Sequence, residues 1–280
     1  MAAGEKELVS LLESGDHEMI NAFSGKYIDL LRKYYYIGGM PEAVLTYIET
    51  DDLAEVREVQ KQLLLYYAND FSKHAPKETV PRIRMVWDSI PMQLAKENRK
   101  FIYGALREGA RAKEFEMAIQ WLLDCGLIHK SRRVEKPGMP LISYMDMSAF
   151  KIYMLDVGLL AAKGNIAAAV LLEKNAIFSE LKGALTEQFV AQELAAAGME
   201  LYYYSASGSS GEVDFIVQVE DRAIPVEVKA EENLQAKSLR ALVAKYGLKD
   251  AVRTSMSNYR ERDWMVNVPL FEVSGYLKGR

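Results

Sequence analysis

The sequence predicts a multidomain protein of the α+β or α/β class, with helices in its first half and a small sheet in its last third. Apolar residues recur at steps of three and four through residues 5–75, which is the spacing of amphipathic helices. Apolar and polar residues alternate at 212–219 and 224–229, which is the spacing of strands. The 280 residues are 50% hydrophobic and 26% charged, a balance typical of folded globular proteins.

We expect three consecutive parts along the chain. They are an N-terminal helical bundle over 1–78, a winged-helix middle domain with its connector over 79–173, and a C-terminal α/β domain over 174–280. The length corresponds to about two domains of roughly 100–200 residues each, or to three smaller ones.

The composition excludes several classes of protein. One cysteine, Cys125, cannot form an internal disulfide, and with only three histidines a structural zinc site of the usual kind is excluded. No apolar run approaches the roughly 18 residues of a membrane span, and the acidic N-terminal residues lack the apolar core of a secretory signal. We therefore expect a cytoplasmic protein with no membrane partner.

Helices are expected throughout the first part. An apolar stripe begins at Leu8, and a second one runs from Ile20 to Tyr34. Gly38-Gly39 interrupts it, and Pro41 can open the next helix in its first turn. A further helix is expected near Leu53–Phe71, so that this part forms a small bundle.

The middle part has the element order of a winged helix. Pro81 opens one amphipathic helix, and a second begins near Ala112 and ends at Cys125-Gly126. A strand at Leu127–Val134 and a returning strand at Leu141–Tyr144 then form the wing.

The same part is the only basic one, with 12 basic and 8 acidic side chains over residues 79–150, although the whole chain has a net charge of −4. A local basic excess is what contact with nucleic-acid phosphates requires. Basic residues at the start of the second helix and on the wing are the candidate nucleic-acid-binding residues: Arg107, Arg111, Lys113, Lys130, Arg132 and Arg133. A solvated face is an equally good interpretation of the charge, and winged helices also serve as joints between proteins.

The last part begins after a connector, in which Lys151–Leu155 can form a strand and Asp156 precedes a short helix. Its elements follow the order α-β-β-β-α-β: helix Leu181–Ala197, strands Leu201–Ser205, Glu212–Val219 and Ala223–Val228, helix Gln235–Tyr246 and strand Ala251–Ser255.

Charged residues stand in two of these strands, where charge is costly. Because side chains alternate along a strand, Glu227 and Lys229 share a face, and the hairpin can bring Asp214 close to Glu227. Two neighbouring carboxylates repel unless a cation lies between them. Mg²⁺ or Mn²⁺ fits there, with Lys229 positioned to act on a water, and Glu187 of the preceding helix could complete the metal shell.

Glu187, Asp214 and the Glu227-Val228-Lys229 triplet resemble the PD-(D/E)XK nuclease superfamily, whose members have the same α-β-β-β-α-β order. The resemblance implies that Glu187, Asp214 and Glu227 bind a divalent metal and that Lys229 assists the attacking water. It also suggests Gln235 as an additional polar group.

A wider resemblance rests on four segments in order: YYYIGGMPEAV, ARAKEFEMAIQWLLDCGLI, FKIYMLDVGLLA and GALTEQFVAQEL with EVDF and PVEVK. The chain is similar to the C-terminal part of prokaryotic AAA-type ATPases that carry an uncharacterised nuclease-like domain. The resemblance implies an AAA-type ATPase module as partner, with the helical bundle as its lid. The sequence has no G-x-x-x-x-G-K-[ST], so we expect no ATP hydrolysis from this chain.

Three functional hypotheses follow. The first is a metal-dependent nucleic-acid-processing module of the nuclease type, and the second is a non-catalytic DNA- or protein-binding module on the same fold. The third is an ion-pair cluster of Asp214, Glu227 and Lys229 without a function, although burying such charges is costly.

Overall fold

The computed structural model describes residues 5–97, 99–172, 179–206, 211–230 and 236–279, and shows a mixed α/β protein. The helices of these residues have the following bounds: α1 Lys6–Ser14, α2 His17–Ala22, α3 Ser24–Ile37, α4 Pro41–Thr50, α5 Leu53–His74, α6 Val80–Leu94, α7 Ala112–Asp124, α8 Val157–Lys163, α9 Ala168–Leu172, α10 Ser179–Ala196, α11 Lys237–Tyr246 and α12 Val273–Lys278. No helix in this described part is long and apolar enough to cross a membrane.

The described strands form one eight-stranded sheet with the order β2-β1-β3-β4-β5-β6-β8-β7. Their bounds are β1 Ile128–Val134, β2 Met145–Met154, β3 Tyr202–Ser205, β4 Glu212–Val219, β5 Arg222–Val228, β6 Val252–Ser255, β7 Arg260–Arg262 and β8 Met265–Pro269. The pairs β3–β4, β4–β5 and β7–β8 are antiparallel, whereas β1–β3, β5–β6 and β6–β8 are parallel.

The chain divides into two compact units, each made of separate segments. The sheet unit consists of Met1–Arg32, Ser131–Ala149 and Glu193–Arg280, and the helical unit consists of Lys33–Lys130 and Phe150–Gln192. The three consecutive domains expected from the sequence stay a prediction. Periodicity within single segments cannot show that α1, α2 and the end of β1 belong with the C-terminal strands.

Within the sheet unit, the hairpin β4–β5 carries the apolar core on which α11 packs. Leu239 and Leu242 of α11 lie in one buried cluster with Val213 and Ile216 of β4. The predicted α-β-β-β-α-β order is confirmed as α10, β3, β4, β5, α11 and β6. Beyond it the chain adds β7, β8 and α12, which were not predicted from the sequence.

The wing is the main correction to the predicted elements. The first strand is confirmed as β1, but Leu141–Tyr144 is one turn of 3₁₀ helix and the partner strand is Met145–Met154. The backbone N–H of Leu141 donates to Oε1 of Gln218, and the Tyr144 carbonyl accepts a hydrogen bond from the Glu135 N–H at 2.9 Å, so both ends of this turn are held. The predicted strand at Lys151–Leu155 is the second half of β2.

The β1 strand also pairs in parallel with β3, with Arg132 opposite Tyr202 and Arg133 opposite Tyr203. This part of the predicted wing is therefore a sheet strand with neighbours on both edges. The winged-helix assignment of the middle part stays a prediction.

In the helical unit, the Gly38-Gly39 break and the Pro41 start are confirmed by the ends of α3 and α4. Gly38 has a φ of +73°, and a Cβ there would lie 2.2 Å from Oδ1 of Asp156. Oδ2 of Asp156 accepts a hydrogen bond from the Gly39 N–H at 2.7 Å, and its Oδ1 accepts one from the Leu159 N–H at 2.8 Å. One carboxylate thus caps α8 and fixes the turn between α3 and α4.

Candidate functional site

The two carboxylates of the predicted site are held at the end of the β4–β5 hairpin. Oδ2 of Asp214 accepts a hydrogen bond from the Val228 N–H at 2.8 Å, which places this carboxylate at the backbone next to Glu227. Nζ of Lys229 lies 2.7 Å from Oε1 of Glu227. The structure therefore brings together Asp214, Glu227 and Lys229, as the strand spacing predicts.

A β-bulge lies beside Asp214. The register of the β3–β4 pair shifts between Tyr202, which faces Ile216, and Tyr204, which faces Val213. Strict alternation would place Val213 and Ile216 on opposite faces, yet both pack in the same apolar cluster. A bulge of this kind redirects a side chain and often stands beside a functional site. Here the bulge lies next to Asp214, whose carboxylate accepts a hydrogen bond at the end of β5.

Polar residues continue from Glu227 across four neighbouring strands. Glu227 is the register partner of Arg253, Arg253 that of Asn267, and Asn267 that of Arg260. Register partners point to the same face of a sheet. We call Glu227, Arg253, Asn267 and Arg260 the polar row. Arg253 and Asn267 are each 1% exposed, so a charged side chain is buried in the middle of the sheet.

Hydrogen bonds fix the middle of the polar row. Nε of Arg253 donates to Oδ1 of Asn267 at 2.8 Å, and the Ser255 hydroxyl donates to the same oxygen at 2.9 Å. Nδ2 of Asn267 donates to the carbonyl oxygens of Ser257 and Asn258. Asn267 therefore holds the Arg253 side chain and the loop after β6 in one arrangement.

A cleft of about 450 Å³ opens at the basic end of the row. It is lined by Arg253, Arg260 and Asn267, by the loop residues Met256, Ser257 and Asn258, and by Ser24, Gly25 and Ile28 of α3. All of these residues belong to the sheet unit.

Glu187 lies in the helical unit, in a buried cluster of charges. Its carboxylate is 1% exposed, accepts a hydrogen bond from the Tyr153 hydroxyl, and forms salt bridges with Arg99 and, at 3.0 Å, with Lys151. Burial raises the pKa of this carboxyl, but the charges of Lys151 and Arg99 and the hydrogen bonds from Tyr153 and Lys151 outweigh it and lower the pKa to about 2.

This cluster already supplies Glu187 with two cations. A metal at Glu187 would have to replace one of them, so its predicted role as a metal ligand stays a prediction. Gln235 lies outside the described residues.

The donor set at Asp214 and Glu227 fits a hard divalent cation. Mg²⁺ takes oxygen ligands and uses one or two carboxylates together with waters, and Mn²⁺ accepts the same ligands. A group of three or more acidic, histidine or cysteine ligands is not found among the described residues. Asp214 and Glu227, at the end of the hairpin, are the two carboxylates that would hold such an ion.

The predicted nucleic-acid-binding residues are divided between the units. Arg107, Arg111, Lys113 and Lys130 belong to the helical unit, and Arg132 and Arg133 to the sheet unit. Three of the six already have partners in the fold.

Arg107 pairs with Glu114, the ammonium of Lys130 lies 4.2 Å from the Phe150 ring centre, and Arg133 pairs with Asp146. Arg111 and Lys113 are exposed at the start of α7. The nucleic-acid role of all six residues stays a prediction.

Three of the four residues of the polar row were not predicted from the sequence, namely Arg253, Asn267 and Arg260. A usable signal was present, because Arg253 interrupts the apolar AVRTS segment and Asn267 interrupts MVNVP. The same criterion, a charged or amide side chain inside an apolar strand, identified Asp214 and Glu227.

The fold and the site define a mixed α/β protein with a sheet that carries a buried charged row. A family model described as Domain of unknown function (DUF8612) matches residues 28–169, half of the chain, and the chain belongs to this family. A second model, Domain of unknown function (DUF4143), matches residues 182–272; this domain is found C-terminal to AAA ATPase-like proteins. A search of curated proteins and a search of solved structures each gave no match.

Proposed function

We propose that the sheet unit hydrolyses phosphodiester bonds of nucleic acid, with Mg²⁺ or Mn²⁺ held by Asp214 and Glu227. The observation that carries this proposal is the convergence of Asp214, Glu227 and Lys229 at the end of the β4–β5 hairpin, beside a β-bulge. The resemblance of Asp214 and the Glu227-Val228-Lys229 triplet to the PD-(D/E)XK motif supports it.

The residues at the end of the hairpin have separate roles in the proposed reaction. The Val228 N–H fixes the Asp214 carboxylate, and Lys229 holds the Glu227 carboxylate through its ammonium group. Lys229 is 31% exposed, so its ammonium can also reach a water or a phosphate oxygen and offset negative charge there. A bound metal would lower the pKa of a coordinated water and stabilise charge on the phosphate.

The metal site is tested first by substitution of Asp214. Asp214→Asn keeps an oxygen that can accept the Val228 N–H bond but removes the charge. We expect Mn²⁺ and Mg²⁺ to raise the melting temperature of the wild type, because a ligand bound to the folded state stabilises it. The variant should lose this response. Asp221→Asn, at the exposed turn of the same hairpin, is the matched control and should behave like the wild type.

The hydrolytic step is tested by Lys229→Ala on supercoiled plasmid, branched duplex and single-stranded DNA with Mg²⁺ or Mn²⁺. Loss of the ammonium should slow cleavage by at least about 100-fold, while Lys237→Ala, on the exposed start of α11, should cleave normally. Cleavage that continues unchanged in Lys229→Ala would contradict the assigned role.

A non-catalytic recognition module is the second candidate. It is favoured by the short Lys229–Glu227 ion pair, which neutralises the Glu227 carboxylate without a metal, and by the two cations that already pair with the Glu187 carboxylate. Binding without cleavage on every substrate would support this candidate. In either case we propose that the module is coupled to an AAA-type ATPase, as the DUF4143 match supports.

A further inference from the structure

The basic end of the polar row lies at the larger cleft, and the proposed cleavage chemistry does not use it. The strand β7 alternates in charge, with Arg260, Glu261 and Arg262 in succession. Arg260 and Arg262 are the register partners of Asn267 and Met265, so they share the face of Arg253. Glu261 points to the other face and accepts a hydrogen bond from the Tyr259 hydroxyl at 2.6 Å. Because side chains alternate along β7, Arg260 and Arg262 both lie on the face of the sheet that carries Arg253.

Among the described residues, two cations and one carboxylate act electrostatically on the Arg253 guanidinium. Burial lowers the pKa of the Arg253 guanidinium, and the nearby charges of Arg262 and Arg260 lower it further, while Glu227 acts in the opposite direction. Glu227 is also the salt-bridge partner of Lys229. Arg262 borders a second, smaller cleft that contains Asp250 and Asp263, so Arg253 and Arg260 are the cations that belong to the larger cleft. An anion there would offset the repulsion between them.

The walls of the cleft are held in place before any ligand arrives. Asn267 donates to the backbone of Ser257 and Asn258. The Ser257 N–H donates to the Ser255 hydroxyl at 3.1 Å, and the Tyr259 N–H donates to Oδ1 of Asn21 at 2.9 Å. The first turn of α3, which forms the opposite wall with Ser24 and Gly25, contains no acidic residue. A preformed site loses little conformational entropy on binding.

We propose that the cleft between Arg253, Arg260 and the start of α3 binds a phosphate group. Guanidinium groups are well suited to phosphate because they donate parallel hydrogen bonds to its oxygens. The volume of about 450 Å³ accommodates a mononucleotide unit. The phosphate comes either from the backbone of a nucleic acid or from a free nucleotide. This assignment goes beyond metal-dependent cleavage, since none of its residues holds the metal.

The test uses the full chain in EDTA, so that metal binding and cleavage play no part. A fluorescein-labelled single-stranded oligonucleotide is titrated by anisotropy with the wild type, Arg260→Ala, Arg260→Lys and Arg240→Ala, an exposed arginine of α11. Arg260→Ala should weaken binding by about fivefold, the size expected of an exposed ionic contact. It should also reduce the slope of log K against log salt by about 0.7. Arg260→Lys should restore most of the affinity, and Arg240→Ala should match the wild type.

A second arm distinguishes the two sources of phosphate. Inorganic phosphate and AMP are added to the wild type and to Arg260→Ala, and the melting temperature is recorded. A rise for the wild type alone, without oligonucleotide binding, supports the site with a free nucleotide as its ligand. Equal oligonucleotide affinity and equal phosphate response in wild type and Arg260→Ala would overturn the proposal, and so would a wild type that responds to none of the three probes.

Discussion

Replacing Glu187 with glutamine is expected to lower the free energy of unfolding by about 3–5 kcal/mol, because breaking a buried ion pair leaves uncompensated charge inside the protein. The Glu187 carboxylate is 1% exposed and Lys151 is 0% exposed, so water cannot replace the lost interaction. Glutamine has the same shape and can still accept the Tyr153 hydrogen bond, so the change isolates the charge. Urea unfolding curves of wild type and variant give the difference.

Two further variants show whether the loss of stability in Glu187→Gln comes from the broken ion pair. Glu193, on the same helix α10, has its pKa raised mainly by burial, so Glu193→Gln should leave stability unchanged or increase it slightly. The double variant Lys151→Met/Glu187→Gln should recover part of the loss, because the fully buried ammonium is removed together with its partner and only the less buried Arg99 loses its carboxylate. A Glu187→Gln protein within about 1 kcal/mol of the wild type, below the range for a broken buried pair, would show that the cluster is not a source of stability.

The pH dependence of folding stability follows from the carboxylate of Glu187. Its pKa in the folded protein is lowered from 4.5 to about 2, so its contribution is complete above about 4.5 and is lost as the pH falls towards 2. The stability of the wild type should therefore approach that of Glu187→Gln across this window. A retained Mn²⁺ response in Glu187→Gln would assign the residue a structural role, whereas a lost response would support the metal ligand that its sequence position suggests.

Gly158→Ala is expected to destabilise the helical unit by about 3 kcal/mol, at the upper end for overpacking. A Cβ at this position would lie 2.6 Å from the backbone of Ile37 and Gly38, which cannot move aside as a flexible side chain can. Alanine in a helix is more favourable than glycine by at most about 1 kcal/mol. The clash outweighs this gain, so the net change in the free energy of unfolding is destabilising. Thermal and urea unfolding both measure the effect.

The control for Gly158 is Gly275→Ala in α12, where an added Cβ meets nothing within 4 Å. This variant should be neutral or stabilised by up to about 1 kcal/mol. A Gly158→Ala protein as stable as the control would mean that the close packing of α8 on the end of α3 is not as the structure shows it.

The sequence predicts the local elements well because local signals determine them. Pro41, the Gly38-Gly39 break and the short turn at Glu220-Asp221 act within a few residues, and the helix and strand bounds follow them. The pairing of Glu227 with Lys229 follows from a two-residue strand spacing. These are the features that periodicity can determine.

Features that depend on distant segments could not be predicted in this way. The register shift at Asp214 depends on how β3 pairs with β4. The salt bridges of Glu187 come from residues 36 and 88 positions away, Lys151 and Arg99. The polar row exists because β8 lies next to β6 in the sheet, and no local sequence pattern indicates this strand order. In each case the missing information is strand order or tertiary contact.

The parallel pairing of β1 with β3 has a practical consequence for anyone who dissects this chain. A fragment that begins after residue 172 would lack β1 and leave the backbone of Tyr202–Ser205 with an open hydrogen-bonding edge. Three consecutive tyrosines on such an edge invite pairing with the same strand of another molecule. We therefore expect that a fragment limited to residues 182–272 would self-associate, and that its failure to remain in solution would say nothing about the chemistry of the hairpin.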